Sequence, residues 1–346
     1  MRSIAAAATM LALAGGCLMP RYLSQAARGQ LDLMQRARPI EDVLEDPEVP
    51  VETRLLLAEV EGIKTYGAAA GLNTRKNYRA YVEVGSAAVW FVGASKPLAF
   101  EARSWCFPIA GCFTGLGWFD RDDAIAHREQ LKRDGWDAMA RPAGAYSTGG
   151  WFPDPIVSSM LDADLAPYAE LANVVLHESV HATVFIPDEP FFNEGLAEAV
   201  GDALTDGWLV ERFGPDSREQ AVWAEVQAWR RARTDRQFVA YQALDALYQS
   251  DVPDAEKLAR KQQILTALAD ELKLWRTPNN ANLIELRVYK ASYQRFADTL
   301  AACGGPAKLI AAAKRLSRGD FAKSLDEDLV PILAKIRARC AAGHGA

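Results

Sequence analysis

The chain has 346 residues, half of them hydrophobic and 24% charged, with a net charge of −6. That length buries a large core, and the charge balance gives no reason to expect nucleic acid as a partner. No interior stretch approaches the roughly 20 continuous apolar residues of a membrane span.

Arg2 is a short positive start, residues 4–13 are an apolar run, and Ala14-Gly15-Gly16 put small residues before Cys17. This is the pattern of an export signal over residues 1–16. Small residues directly before a cysteine resemble a bacterial lipobox, although Leu13 stands one place earlier than the usual leucine. An ordinary cleaved signal with an incidental cysteine is the alternative. Lipidation of Cys17 would anchor the mature protein, because several acyl chains act together. Cys106, Cys112, Cys303 and Cys340 remain. An exported protein can oxidise them. Sequence proximity favours Cys106–Cys112 and Cys303–Cys340, with buried free thiols as the other option, and the spacing is not that of a zinc ribbon.

Residues 22–74 read as helices divided by Pro39, Pro47 and Pro50, with Leu31, Met34, Leu55, Leu56 and Val60 at helical spacing. Residues 78–147 change character. The runs 81–84 and 89–92 are β-branched and aromatic around Gly85-Ser86, which predicts a hairpin. Residues 98–103 and 116–119 suggest two more strands, 122–133 a helix, and 137–146 a last strand. Ala145-Tyr146-Ser147-Thr148 closes this sheet, either as an edge that could pair with a peptide backbone or as a turn. Tyr146 and Ser147 are therefore candidate substrate-binding residues.

Pro167 suits a first helical turn, and Asp164 before it can cap the start. Leu171, Val174, Val175, Val180 and Val184 give an apolar stripe. On this helix lies His177-Glu178-Ser179-Val180-His181, which holds two of the chain's four histidines. Residues four apart share a helix face, so both imidazoles can reach one metal ion. Glu178 is adjacent but rotated, and suits a carboxylate that takes a proton from a metal-bound water. Pro187 and Pro190 then break the chain. A second helix over 192–213 brings back Glu194, thirteen residues past His181, as a third ligand, and Glu198 one turn on, to orient a histidine ring. One Zn2+ suits two imidazoles and a carboxylate. His127 and His344 are read as lying away from this site.

From residue 215 on the chain reads as almost wholly helical, with one helix marked by Val222, Val226 and Trp229 and others over 237–249, 254–275, 283–300, 308–316 and 321–339. Arg230-Arg231-Ala232-Arg233 reads as a solvated helix face. Asn279-Asn280-Ala281-Asn282 reads as a helix cap after Pro278.

His-Glu-x-x-His followed by Asn193-Glu194-Gly195 resembles the gluzincin metallopeptidases, a group that includes thermolysin and aminopeptidase N. More of the chain resembles a narrower group of bacterial lipoproteins classed as aminopeptidases. The matching segments are the Cys17 start, Gly29-Gln30, Ala37-Arg38-Pro39-Ile40, Trp105-Cys106-Phe107-Pro108, Ala145 to Thr148, Trp151 to Pro155 and Asn279-Asn280-Ala281. The resemblance implies an α+β, mostly helical fold, with a zincin-like small mixed or antiparallel sheet before the motif helix and a helical C-terminal region. It implies a zinc peptidase with Glu194 as third ligand and a downstream tyrosine or histidine facing the transition state. Tyr289 is the first choice for that role and Tyr293 the second; core packing of both is the alternative. In aminopeptidase N a glutamate near the sheet edge holds the substrate amine. Residues 145–151 contain none, and Asp154 is the nearest acid.

The organisation expected is a signal over 1–16, a helical segment over 17–75, a catalytic core over 76–214 and a helical region over 215–346. The function expected is a zinc metallopeptidase, an aminopeptidase by resemblance, acting on peptides and lipid-anchored in the bacterial envelope facing the periplasm. A non-catalytic zinc lipoprotein and an amidase acting on cell-wall peptides are the alternatives. The sequence says nothing of oligomeric state.

Overall fold

Prolines punctuate the start of the computed structural model, which describes residues 18–107, 111–146, 148, 152–162, 164–284 and 286–342. Helix α1 (Leu18–Arg36) leads through β1 (Arg38–Pro39) into α2 (Ile40–Glu45) and α3 (Val51–Ala69). Pro39 and Pro50 are the residues that precede α2 and α3. Their fixed φ and missing N–H suit a position where a helix lacks a partner for that group.

The strands are β2 (Ala80–Val82), β3 (Trp90–Ser95), β4 (Trp105–Phe107), β5 (Gly111–Phe113), β6 (Gly115–Trp118), β7 (Asp137–Pro142) and β8 (Ile156–Val157), with helix α4 (Arg121–Arg133) before β7. They form three small sheets among the described residues. The expected hairpin between β2 and β3 is absent. β2 is filled on both edges, antiparallel by β1 and parallel by β8. The Ser158 hydroxyl then takes both polar groups of the Val84 backbone, at 2.9 and 2.8 Å, and the chain leaves the strand. β3 centres another sheet, antiparallel to β6 and β7 on either side. Residues 98–103 form a loop folded back on the end of β3 through Lys96 to Glu101 and Arg103 to Ala94 backbone bonds of 3.0 and 2.9 Å. β7 stops at Pro142, which has no N–H to carry a ladder further. Disulfides join Cys106 to Cys112 and Cys303 to Cys340, the pairs that proximity favours.

Helices make up the remainder: α5 (Pro167–His181), α6 (Pro190–Phe213), α7 (Arg218–Gln249), α8 (Asp254–Glu271), α9 (Asn280–Leu283), α10 (Leu286–Cys303), α11 (Pro306–Ala313) and α12 (Val330–Ala342). The chain is α+β and mostly helical. α5 begins at Pro167 with Ala166 at the capping position and no side-chain cap, so Asp164 lies two residues too early to serve. α7 runs unbroken where two helices were expected, since residues 230–236 hold neither proline nor glycine. The last helix starts at Val330 instead of near 321. Ser317 caps a short 3-10 turn there, and Leu325 takes a φ of 55°, both of which interrupt a helix.

α5 lies at the centre of the main core, between α3 and α6. Leu171, Val175, Leu176 and Val180 of α5 and Leu196, Val200 and Leu204 of α6 are almost fully buried. At Gly201 no side chain stands between the two helices. A Cβ there would stand 3.3 Å from the His177 Cβ and 3.4 Å from its backbone. Gly201→Val should therefore push the two helices apart at His177. Loss of about 1–3 kcal/mol in denaturant unfolding is expected, with a smaller loss for Gly201→Ala. Unchanged stability in the valine variant would show that the contact yields without cost.

Candidate metal centre

Helical spacing sets the first part of the site. His177 and His181, one turn apart on α5, bring their Nε2 atoms to 3.2 Å. Both rings have their edges toward the start of α6, and the sequence Asn193-Glu194-Gly195 explains how that start is held. Asn193 is buried. Its side chain accepts from the Ile186 amide at 2.9 Å and donates to the Ile186 carbonyl at 2.8 Å, locking the turn between α5 and α6. Gly195 leaves space for Phe296 of α10, whose ring a Cβ would overlap. Glu194, between them, faces the imidazoles: one carboxylate oxygen lies 3.5 Å from His177 Nε2 and the other 3.5 Å from His181 Nε2. Glu178 is also close, its oxygen and the histidine ring nitrogens all within 4.8 Å of one another.

Two imidazole nitrogens 3.2 Å apart thus face one carboxylate, each nitrogen 3.5 Å from a different oxygen of it. A tetrahedral ion with bonds of about 2.0–2.1 Å to nitrogen separates its ligands by about 3.3 Å. The donor set fits a cation such as zinc. The electrostatics agree. Burial works to lower the His177 pKa, yet Glu194, Glu178 and Glu198 together raise it above the ordinary value. For Glu194 the surrounding protein opposes ionisation, but hydrogen bonds and charges from both imidazoles hold its carboxyl well below the usual range.

The site opens into a cleft of about 610 Å³ with His177, Glu194, Glu198 and Asp202 on one side and Phe91, Thr114 and Arg141 on the other. Asp202 is a residue that the motif did not suggest. It lies one turn beyond Glu198, on the face that carries Glu194, so helical spacing was the signal for it. Asn173 donates to it at 2.9 Å and the Tyr293 hydroxyl at 3.3 Å. Burial raises its pKa, against the pull of Gln227, Asn173 and Tyr293. Arg230 is the other addition. It is no merely solvated cation: it pairs with Glu170 of α5 and lines the cleft.

The remaining predicted residues divide clearly. Tyr293 stands at the cleft through Asp202, whereas the Tyr289 side chain falls outside the described residues, as do Ser147, Cys17 and His344. Tyr146 points elsewhere: its hydroxyl donates to Gln30 and its ring packs on Phe119, with centroids 5.7 Å apart. His127 accepts from the Trp118 indole at 3.1 Å, and burial lowers its pKa to about 4. It is a neutral core histidine.

Fold and site together define a helical α+β protein built around a histidine–carboxylate cluster able to hold a metal ion. Residues 21–324 match the family described as "Putative aminopeptidase", and the chain belongs to that family. Comparison with curated proteins and with solved structures gives no match.

Glu194→Ala should abolish retention of metal through dialysis, while Glu198→Ala should keep it, with stoichiometry read by elemental analysis of purified protein. The opposite result would make Glu198 the ligand and Glu194 its neighbour.

Proposed function

We propose that this protein is a zinc-dependent metallopeptidase of the gluzincin type, removing residues from the amino ends of peptides in the bacterial envelope. The observation that carries the reading is the grouping of His177, His181 and the Glu194 carboxylate, with His177 and Glu194 lining a cleft of about 610 Å³. Membership of the aminopeptidase family supports a peptide substrate. In this reading His177, His181 and Glu194 hold one ion. When bound, it supplies Lewis acidity toward the substrate carbonyl and toward a water, whose pKa falls to about 7.

The chain's own residues then divide the proton work and the charge. The Glu178 carboxylate takes a proton from the attacking water and gives it to the leaving amine nitrogen. No bond to the enzyme forms. A tyrosine hydroxyl donates to the oxygen on which charge develops. Tyr289 is the first candidate for this, and Tyr293, whose hydroxyl donates to Asp202 at 3.3 Å, is the second on the same helix. Glu198, one turn from Glu194, orients an imidazole.

Glu178→Gln should retain metal and lose turnover by about a hundredfold or more, measured on one preparation by elemental analysis and peptide cleavage. Near-normal turnover would remove Glu178 from the mechanism. In the same assay the phenylalanine variants of Tyr293 and Tyr289 identify the hydroxyl donor, whose loss should cost roughly a hundredfold in kcat.

The same proposal attaches the exported protein to the membrane through lipid on Cys17. No helix among the described residues is long and apolar enough to cross a membrane. Cys17→Ser should move the protein from the membrane fraction to the soluble fraction or halt its processing. Unchanged membrane association, with no lipid on the wild type by mass spectrometry, would dismiss the anchor.

A further inference from the structure

Helix α1 is apolar on both sides, and only one of them faces the protein. Its inner side is fastened to β6. The Gln25 amide donates to the Gly117 carbonyl at 3.1 Å, and its oxygen accepts from the Phe119 amide at 3.0 Å. The Tyr22 ring lies against Phe107 and Trp118, with centroids 5.5 and 5.4 Å away, and Leu33 is buried. A Cβ at Gly29 would overlap the Phe119 ring. The opposite side carries Pro20, Leu23, Ala27, Leu31 and Met34, spaced three, four, four and three residues apart, so they form one stripe along the helix. Pro20 and Ala27 are exposed, and Leu23, Leu31 and Met34 are 52%, 57% and 42% exposed. A surface helix ordinarily turns polar residues to water. Helix α4, joined to α1 by the Arg21–Asp123 ion pair, does so with Arg121, Asp122, Gln130, Lys132 and Arg133.

Position and charge indicate what covers the stripe. It starts at Pro20, three residues after Cys17, so acyl chains on Cys17 would leave α1 no length of chain by which to stand off from a bilayer. Residues 18–38 carry Arg21, Arg28, Arg36 and Arg38 against the single acid Asp32, in a chain whose net charge is −6. Arg28 flanks the stripe three residues before Leu31, and its guanidinium is held by the Ser24 carbonyl and hydroxyl, both neutral, at 3.3 and 2.7 Å. We infer that the outer face of α1 lies on an anionic phospholipid membrane, with Leu23, Leu31 and Met34 entering the apolar boundary and Arg28 meeting headgroup phosphates. The inference rests on the lipid-anchor reading and adds the surface by which the anchored protein lies down. An amphipathic helix settles in the plane of the interface, and a face this small binds reversibly. The acyl chains retain the protein and the stripe orients it. Because α1 is fastened to the sheet whose β3 and β7 bring Phe91 and Arg141 to the cleft, orienting the helix orients the site.

The test uses the mature chain, residues 17–346, with Cys17→Ser, which keeps α1 whole and carries no acyl chain. It is sedimented with vesicles of phosphatidylglycerol and phosphatidylcholine, or of phosphatidylcholine alone. The protein should bind the anionic vesicles, and less so as salt rises. Leu23→Ser, Leu31→Ser and Met34→Ser combined should reduce partitioning by about tenfold or more, with circular dichroism checking the fold. Leu31→Ser alone should act in the same direction, and Arg28→Glu should weaken binding to the anionic vesicles. Folded protein that binds neither vesicle would overturn the inference, as would binding that the folded serine variants leave unmoved. So would a dimer in light scattering that the serine variants abolish, which would give the stripe to a second copy of the chain. Mass spectrometry of the wild type separates this result from the anchor. Vesicle binding with no lipid on Cys17 keeps the face and removes the anchor, whereas lipid on Cys17 without vesicle binding by α1 keeps the anchor and removes the face.

Discussion

Two helices approach closely at one point, and the site depends on it. Gly201 allows α6 to lie against the backbone of His177, where any larger residue would meet the Cβ and amide at 3.3–3.4 Å. The imidazole direction follows from α5, and Glu194 sits almost two turns before Gly201 on the opposing helix. A wider spacing would move the carboxylate away from both Nε2 atoms together. Core packing and the position of the donors are therefore one constraint. The buried stripe of Leu171, Val175 and Val180 holds α5 in the core, and the glycine sets how near α6 can come.

That approach concentrates negative charge. Glu178 and Glu194 lie near the two histidines, and Glu198 and Asp202 follow along α6 beside the same cleft. Carboxylates grouped this closely oppose one another's ionisation. Asp202 answers this locally, through Asn173 and Tyr293 and a pKa raised by burial. Glu194 answers it through the imidazoles, which favour its charged form. A divalent cation between the imidazoles and the Glu194 carboxylate would relieve the same repulsion, so the electrostatics and the 3.2–3.5 Å distances point the same way.

Periodicity made the metal helix legible, because spacing of four residues on an α-helix converts directly into a shared face. The same arithmetic reaches Glu194, Glu198 and Asp202, although the pattern-based reading stopped one turn short. Strand pairing was less legible. The runs around Gly85-Ser86 have the local chemistry of a hairpin, but Tyr81 pairs with Arg38 and Ile156, both distant in the chain. Local turn propensity lost to tertiary pairing. The basic cluster is the solvated helix face expected, with the Arg230 side chain 42% exposed, but its pairing with Glu170, sixty positions away on another helix, carries no local mark.

Asp154 shows how an acid near a motif can serve the fold instead of the chemistry. It is the first acid after the sheet-closing segment, where the resemblance to aminopeptidase N directs attention for a group that holds the substrate amine. Its carboxylate accepts from the Thr148 amide at 2.8 Å and the Thr148 hydroxyl at 2.7 Å. Asn77 reaches the same carboxylate, and the residue is 1% exposed. A buried acid so engaged pins the segment after β7 against the loop before β2, and it has no surface left for a ligand. Among the described residues, the acids that line the cleft besides Glu194 are Glu198 and Asp202. Both come from α6, so the helix that brings Glu194 to the imidazoles also sets the charge of the cleft beside them.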